Sequence, residues 1–403
     1  MIARHGSGGP LVPPAMRTAR ACLLALPLVL VVAACGTPTP TSSGLPSGGT
    51  ASAAAVSGSA SPPGGDPFPA AGAGDAYVVT ILETPEGTPA DDLRIERVTA
   101  TGARHPIATL TDVTGQLPEG TQIETFEPSA VSPLGWLALP LGRGDESQLL
   151  IVDLRDPGRA PVVVPGGPAA WGPDGRLAIL DELGAIFLDP VRGSRVVATV
   201  PDEVSVATTW AADGSGLLAA RPGTGDASIA GTFTPDARFV DGARPAYSTT
   251  GVDLPFGADG TFVGDGISEG PDRSESLILE PAEGGGLPIV WLKVSQPGSD
   301  AIILDHAWDS KGTGLWVLLA RPGSASLAHL AGPGKQEERA RFDVTEGAAI
   351  VGVDAGGGAV VVSIDATDAA PAAILRIDTA TGATFHLEGA GGAPTFAGWA
   401  VVP

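Results

Sequence analysis

Trp171-Gly172-Pro173-Asp174-Gly175 runs straight into Arg176-Leu177-Ala178-Ile179-Leu180. A bulky apolar residue is followed, four residues on, by a turn glycine and then by an apolar strand. The phrase recurs, more or less worn, at Val131, Trp210, Phe256, Trp308, Val353 and Phe396. With Trp171 these seven anchors are spaced 40, 39, 46, 52, 45 and 43 residues apart. A strand-built repeat of about 44 residues predicts the blade of a β-propeller.

Within a repeat the order reads coarsely. The anchor ends the innermost strand. A tight turn follows, as at Asp174-Gly175, Asp213-Gly214 and Asp259-Gly260, because these dipeptides tolerate the positive φ of a hairpin turn. The apolar run after the turn is the second strand. A third ends in an acidic residue and another turn, as in Ile377-Asp378-Thr379-Ala380-Thr381-Gly382, and a fourth such as Val196 to Val200 follows. No window gives a convincing amphipathic helix, and 57 glycines and 38 prolines would break most helices. The expected class is all-β, with seven blades, or six if two weak repeats merge.

The two ends complement each other. The stretch from Asp75 to Leu110 has strands but no anchor, whereas Phe396 has an anchor but only seven residues after it. Joined, they make one blade from both termini, which closes the ring and removes free sheet edges.

Upstream of Asp75 the chain is different. Arg17 and Arg20 precede the apolar run Ala21 to Val31, and Val32-Ala33-Ala34-Cys35 follows. This reads as a signal peptide over residues 1–35. The apolar run is shorter than the roughly 20 residues of a membrane span. Residues 1–15 fit no part of a signal peptide, which makes Met16 an alternative start. Residues 36–74 are almost wholly Gly, Pro, Ser, Thr and Ala and read as a disordered tether. Its end-to-end distance would be roughly 35 Å. Residues 75–403 are then the propeller.

Val32-Ala33-Ala34-Cys35 resembles a bacterial lipobox. That resemblance implies that Cys35 is diacylated and becomes the new N-terminus. The other cysteine, Cys22, falls in the leader, so no disulfide and no thiol chemistry are expected after processing. Three of the 23 basic residues and none of the 45 acidic ones precede Cys35, which leaves the processed chain near −25. Nucleic-acid binding needs a basic face and is excluded as an expectation. An anionic bilayer would repel this charge, so lipid alone would hold the chain to it.

The anchor phrase resembles the propeller repeat of the TolB-like family and its WD-repeat relatives. Trp171 to Ala178 carries the closest copy and Val131-Ser132-Pro133-Leu134-Gly135-Trp136-Leu137-Ala138 a second one. There is no sign of the separate N-terminal domain of TolB, so its translocation role is not carried over. The whole is similar to exported lipoproteins of actinobacterial type.

Candidate chemistry is sparse. His105, His306, His329 and His386 are scattered over different repeats, without metal-ligand spacing. Asp305-His306-Ala307-Trp308-Asp309 reads better as a polar strand end beside an anchor than as a cation site. There is no Gly-x-Ser-x-Gly elbow, and the glycine runs at 284–286 and 356–358 lack the Lys-Ser/Thr of a phosphate loop. Trp171, Trp210 and Trp308 are expected to pack between blades. No catalytic residue, metal or cofactor is expected. One recurrence is more specific: Arg143, Arg221 and Arg321 end the second strand of three repeats. They either ring one face and bind an anionic group, or pair within their own loops with residues such as Asp145 or Asp226. The expected role is a monomeric binding or scaffolding module, lipid-anchored on the outer side of the cell membrane, with an envelope protein or glycan as partner. The alternative is an envelope hydrolase or lyase using carboxylates at the channel.

Overall fold

The structure is a computed structural model. It describes residues 72, 74–82, 92–109, 122–123, 130–143, 146–181, 184–224, 228–252, 254, 256–258, 261–268, 274–280, 287–295, 301–343, 347–366, 371–387 and 393–400. All lie in the unit Gly64–Pro403. Among them every regular element is a strand, and no helix is long and apolar enough to cross a membrane. The signal peptide, Cys35 and the tether fall outside the described residues.

Seven antiparallel sheets follow one another along the chain. Blade 1 holds β1 (Ala76–Leu82), β2 (Asp92–Val98) and β3 (Arg104–Thr109). Blade 2 holds β4 (Gln122–Ile123), β5 (Trp136–Arg143), β6 (Glu146–Asp153) and β7 (Val162–Pro165). Blade 3 holds β8 (Ala169–Trp171), β9 (Leu177–Asp181), β10 (Gly184–Asp189) and β11 (Ser194–Thr199). Blade 4 holds β12 (Ser205–Trp210), β13 (Leu217–Pro222), β14 (Ser228–Phe233) and β15 (Phe239–Asp241). Blade 5 holds β16 (Phe262–Ser268), β17 (Ser274–Glu280) and β18 (Ile289–Ser295). Blade 6 holds β19 (Ile302–Trp308), β20 (Leu315–Arg321), β21 (Ser324–Leu330) and β22 (Gln336–Phe342). Blade 7 holds β23 (Ala348–Val353), β24 (Ala359–Ile364), β25 (Ala373–Asp378) and β26 (Thr384–His386). The last strand, β27 (Ala393–Trp399), pairs with β1 and completes blade 1. The seven-bladed, all-β arrangement read from the repeat is the one observed.

The termini close the ring as the sequence predicts. β27 runs antiparallel to β1 from Ala76 opposite Trp399 to Ile81 opposite Ala393. The Ala400 N–H then donates to the Asp75 carbonyl at 2.7 Å. Asp75 is buried; its Oδ1 accepts from Ala100 N at 3.1 Å, and its Oδ2 lies 3.7 Å from Arg97 Nε. The Arg376 guanidinium of blade 7 donates to the Gly74 carbonyl and sits over the Trp399 ring. Buried charge is thus paired where the chain enters and leaves the ring.

The anchors explain why blades stack. Trp171 Nε1 donates to the Ala130 carbonyl of blade 2 at 2.8 Å, and Trp210 Nε1 to the Ala170 carbonyl of blade 3 at 2.9 Å. Each indole therefore fills the seam behind it and satisfies its one polar atom there. Gly175, in the turn after Trp171, has a φ of 79°, the left-handed region the Asp-Gly phrase predicts. Six apolar clusters bridge successive blades: 1 with 2, 2 with 3, 3 with 4, 5 with 6, 6 with 7, and 7 with 1. Among the described residues no such cluster bridges blades 4 and 5.

Candidate functional site

Where blade 5 should begin, the chain does something else. In blades 3, 6 and 7 the residue before the anchor pairs with the second strand: Ala170 with Ala178, Ala307 with Trp316, Gly352 with Val361. In blade 5 the described residues keep a single bridge at this place, Phe256 with Phe262, closed by Gly257 N donating to the Thr261 carbonyl at 2.8 Å. Hydrogen-bonded pairs alternate along an antiparallel ladder. After 257 with 261, the next such pair would be 255 with 263. Residue 255 is a proline and has no N–H to give.

The chain before Phe256 bonds to other blades instead. Ala212 N donates to the Pro245 carbonyl and Tyr247 N to the Trp210 carbonyl, both at 2.8 Å. A turn follows, in which Ser248 Oγ accepts from the N–H of Thr250 and of Gly251. The Thr250 carbonyl then accepts Val353 N of blade 7 at 2.7 Å and Trp399 Nε1 of blade 1 at 3.3 Å. A side chain on Gly251 would come within 2.4 Å of the Val353 carbonyl oxygen, and its φ is 80°, so only glycine fits. Val252 packs against the cluster of blades 6 and 7. Ala258 N finally bonds to the Gly312 carbonyl of blade 6 at 2.9 Å. The segment therefore bonds in turn to blades 4, 7, 1 and 6 on the face that carries the anchor turns.

Between it and those turns lies a cavity of about 580 Å³. Its walls include Pro133, Tyr247, Leu254, Phe256, Val353 and Trp399, and its polar side chains are Ser248, Thr249, Asp309, Ser310, Lys311 and Asp354. Both carboxylates already hold a turn. Asp309 Oδ1 accepts from the N–H of Lys311 and of Thr313, and Oδ2 lies 3.1 Å from His329 Nε2. Asp354 Oδ2 accepts from Gly358 N at 3.1 Å. Burial pushes the Asp309 carboxyl up, but the bonds from His329, Thr313 and Gly314 outweigh it and hold it below the usual range. Among the described residues no three His, Cys, Asp or Glu side chains gather.

Burial raises both of the chain's tyrosines, Tyr77 in the core and Tyr247 in the cavity wall, the latter to about 12. A raised pKa in the folded state means that the protonated phenol is favoured there. The associated stability is complete below the free value of about 10 and is lost as pH rises toward the folded value. Tyrosinate absorbance should therefore be absent near pH 10 and should appear together with alkaline unfolding. A folded protein half-ionised at its tyrosines near that pH would contradict these burials.

The sequence-derived candidates fall elsewhere. Arg143, Arg221 and Arg321 all lie at the far end of a second strand, away from the anchor turns. Arg221 pairs within its own blade, its Nη2 3.0 Å from Asp241 Oδ1 and its guanidinium over the Phe239 ring. Asp241, at the end of the fourth strand, takes the place expected for Asp226. The Arg143 side chain lies outside the described residues. Asp305 Oδ2 accepts Ile350 N at 2.8 Å, which ties blade 6 to blade 7. Sequence reading missed the crossing segment. Its signals were Pro255 and the two longest spacings, 46 and 52 residues, on either side of Phe256.

No family model matches the chain, and no curated protein matches it. Solved structures do. An oligogalacturonate lyase in complex with manganese aligns with a TM-score of 0.45 at 12% identity, over 78% of this chain and 85% of that one. The β-propeller domain of the Trilobed protease from Pyrococcus furiosus gives a TM-score of 0.40 at 14% identity, over 78% and 95%. A periplasmic gluconolactonase of Pseudomonas aeruginosa gives 0.40 at 16%, over 82% and 100%. These likenesses concern the propeller fold only.

Proposed function

We propose that this chain is an exported, lipid-anchored propeller of TolB-like character that acts as a binding module at the cell envelope, with an envelope protein or glycan as partner. The observation that carries this reading is the cavity at the anchor-turn face. Asp309 is spent on its turn and on His329, Asp354 closes a second turn through Oδ2, and the chain's own segment runs across the cavity. A hydrolase or lyase would need a carboxylate kept available, commonly with a raised pKa. Among the described residues, the carboxylates that depart from ordinary values, Asp213, Asp236, Asp309, Glu338 and Asp378, are all shifted down. What the cavity does offer is apolar wall with short hydroxyl side chains, the composition of a recognition surface.

Attachment rests on Cys35. Cys35→Ala should leave the protein unprocessed or release it from the membrane fraction, because two acyl chains and not charge supply the anchor. Fractionation and mass spectrometry of the N-terminal peptide check this. A Cys35→Ala chain that still sediments as a lipid-modified form would overturn it.

A further inference from the structure

We propose that the channel-facing edge of β16 docks an extended basic peptide, which adds there as the fourth strand of blade 5. The inference deepens the binding-module reading and rests on it, by naming the class of partner.

Among the described residues blade 5 has three strands where each of the other six has four. The one without a counterpart there is the innermost. β16 pairs along its whole length with β17, from Phe262 opposite Glu280 to Ser268 opposite Ser274. On its other side the described residues supply only the bridge from Phe256. The ladder alternation then fixes which groups face the channel. Since Thr261 is bonded on the inner side and the Phe256–Phe262 bridge engages the Val263 N–H, the C=O of Val263 and the N–H and C=O of Asp265 and Ile267 point there too. A row of main-chain donors and acceptors is the template for strand addition. Proline at 255 prevents the chain from filling it by simple extension, and Thr250 and Val252 are engaged at blades 7, 1 and 6.

The flank of the edge says what would sit there. Val263 and Leu279 face blade 6, so Phe262, Gly264, Ile278 and Val290 share the opposite face. Phe262 is 38% exposed, Val290 49%, and Phe256, whose ring contacts Phe262, 45%. Glu280 lies opposite Phe262 on the same face. Residues 251–300 hold nine acidic and two basic side chains. An incoming strand that alternates apolar with cationic residues matches both the exposed apolar surface and the charge.

The test uses the full-length lipidated protein in neutral detergent and a labelled peptide, Val-Lys-Val-Lys-Val-Lys-Val with blocked ends. The peptide should bind and should slow amide exchange at Asp265–Ser268. N-methylation of alternate peptide amides should weaken binding about tenfold or more, since each lost main-chain bond costs a severalfold factor. Asp265→Pro removes one channel-facing N–H and leaves the bonds to β17 intact, so it should weaken binding similarly. Asp265→Ala, which keeps that amide, separates this loss from the loss of charge and should bind severalfold more tightly than Asp265→Pro. Equal affinity of the N-methylated peptide would mean that charge alone attracts it, and would overturn the proposal. So would protection that falls on β18 or on another outer strand. The assay needs no membrane. Its failure is therefore separate from a failure of Cys35→Ala to release the chain.

Discussion

Removal of residues 393–403 should leave no folded propeller. β27 is the inner strand of blade 1, and its loss exposes the whole edge of β1. It also removes buried Phe396 and Ala397, the bond from Val131 N to the Ala397 carbonyl, and the bond from Ala400 N to Asp75. Phe396 is a member of the cluster joining blades 7 and 1, and Ala397 of the cluster joining blades 1 and 2. A single large-to-small core truncation costs about 3–5 kcal/mol, and this deletion empties parts of two clusters at once. The whole domain has about 5–15 kcal/mol to lose. The truncated chain should aggregate on size exclusion and show no cooperative thermal transition. A transition at the parent's midpoint would show that the termini do not fasten the ring.

The circular closure was legible because it rests on counting: an anchor without outer strands at one end, strands without an anchor at the other. Blade number was legible for the same reason, since Trp171, Trp210 and Trp308 mark a period that survives wear in the other copies. The site was not legible. Phe256 has the correct spacing and turn, so it reads as an ordinary anchor. What sets its blade apart is the residue before it. Proline at that position matters only once the alternation of ladder bonds is known, because at the other rung of the ladder a missing N–H would cost nothing. Asp309, by contrast, reads in sequence as part of a polar strand end beside an anchor. In three dimensions its lone pairs are taken by Lys311, Thr313 and His329. The arginines show the limit from the other side. Strand position placed them at one end of their blades, but the partner of Arg221 is Asp241, 20 residues away across the sheet. Pairing across a sheet depends on which strand end comes alongside, and local spacing does not encode that.

Trp210→Ala should be the most damaging single substitution, and Trp210→Phe should separate its two contributions. The side chain is fully buried, and its ring meets Phe187 edge-on at 5.6 Å. The Arg176 guanidinium lies over the ring at 5.0 Å, which adds a cation–π contact. The ring also closes the seam so tightly that a side chain on Gly172 would come within 2.9 Å of it. Alanine would leave a cavity the size of an indole between blades 3 and 4 and take the indole N–H from the Ala170 carbonyl, which keeps its ladder bond to Ala178. The cost should be about 3–5 kcal/mol from the cavity, with about 0.5–1.5 kcal/mol more from the lost indole hydrogen bond. Phenylalanine refills most of the volume but has no N–H, so it should lose mainly the second contribution. Trp210 also holds the start of the crossing segment, because its carbonyl accepts Tyr247 N. Amide exchange at Tyr247 should therefore quicken in the alanine variant more than at β20, two blades away. Denaturant midpoints for the two variants and the parent, read with that exchange, check both parts. Equal midpoints for Trp210→Ala and the parent would mean that the anchors mark the repeat without holding the blades together.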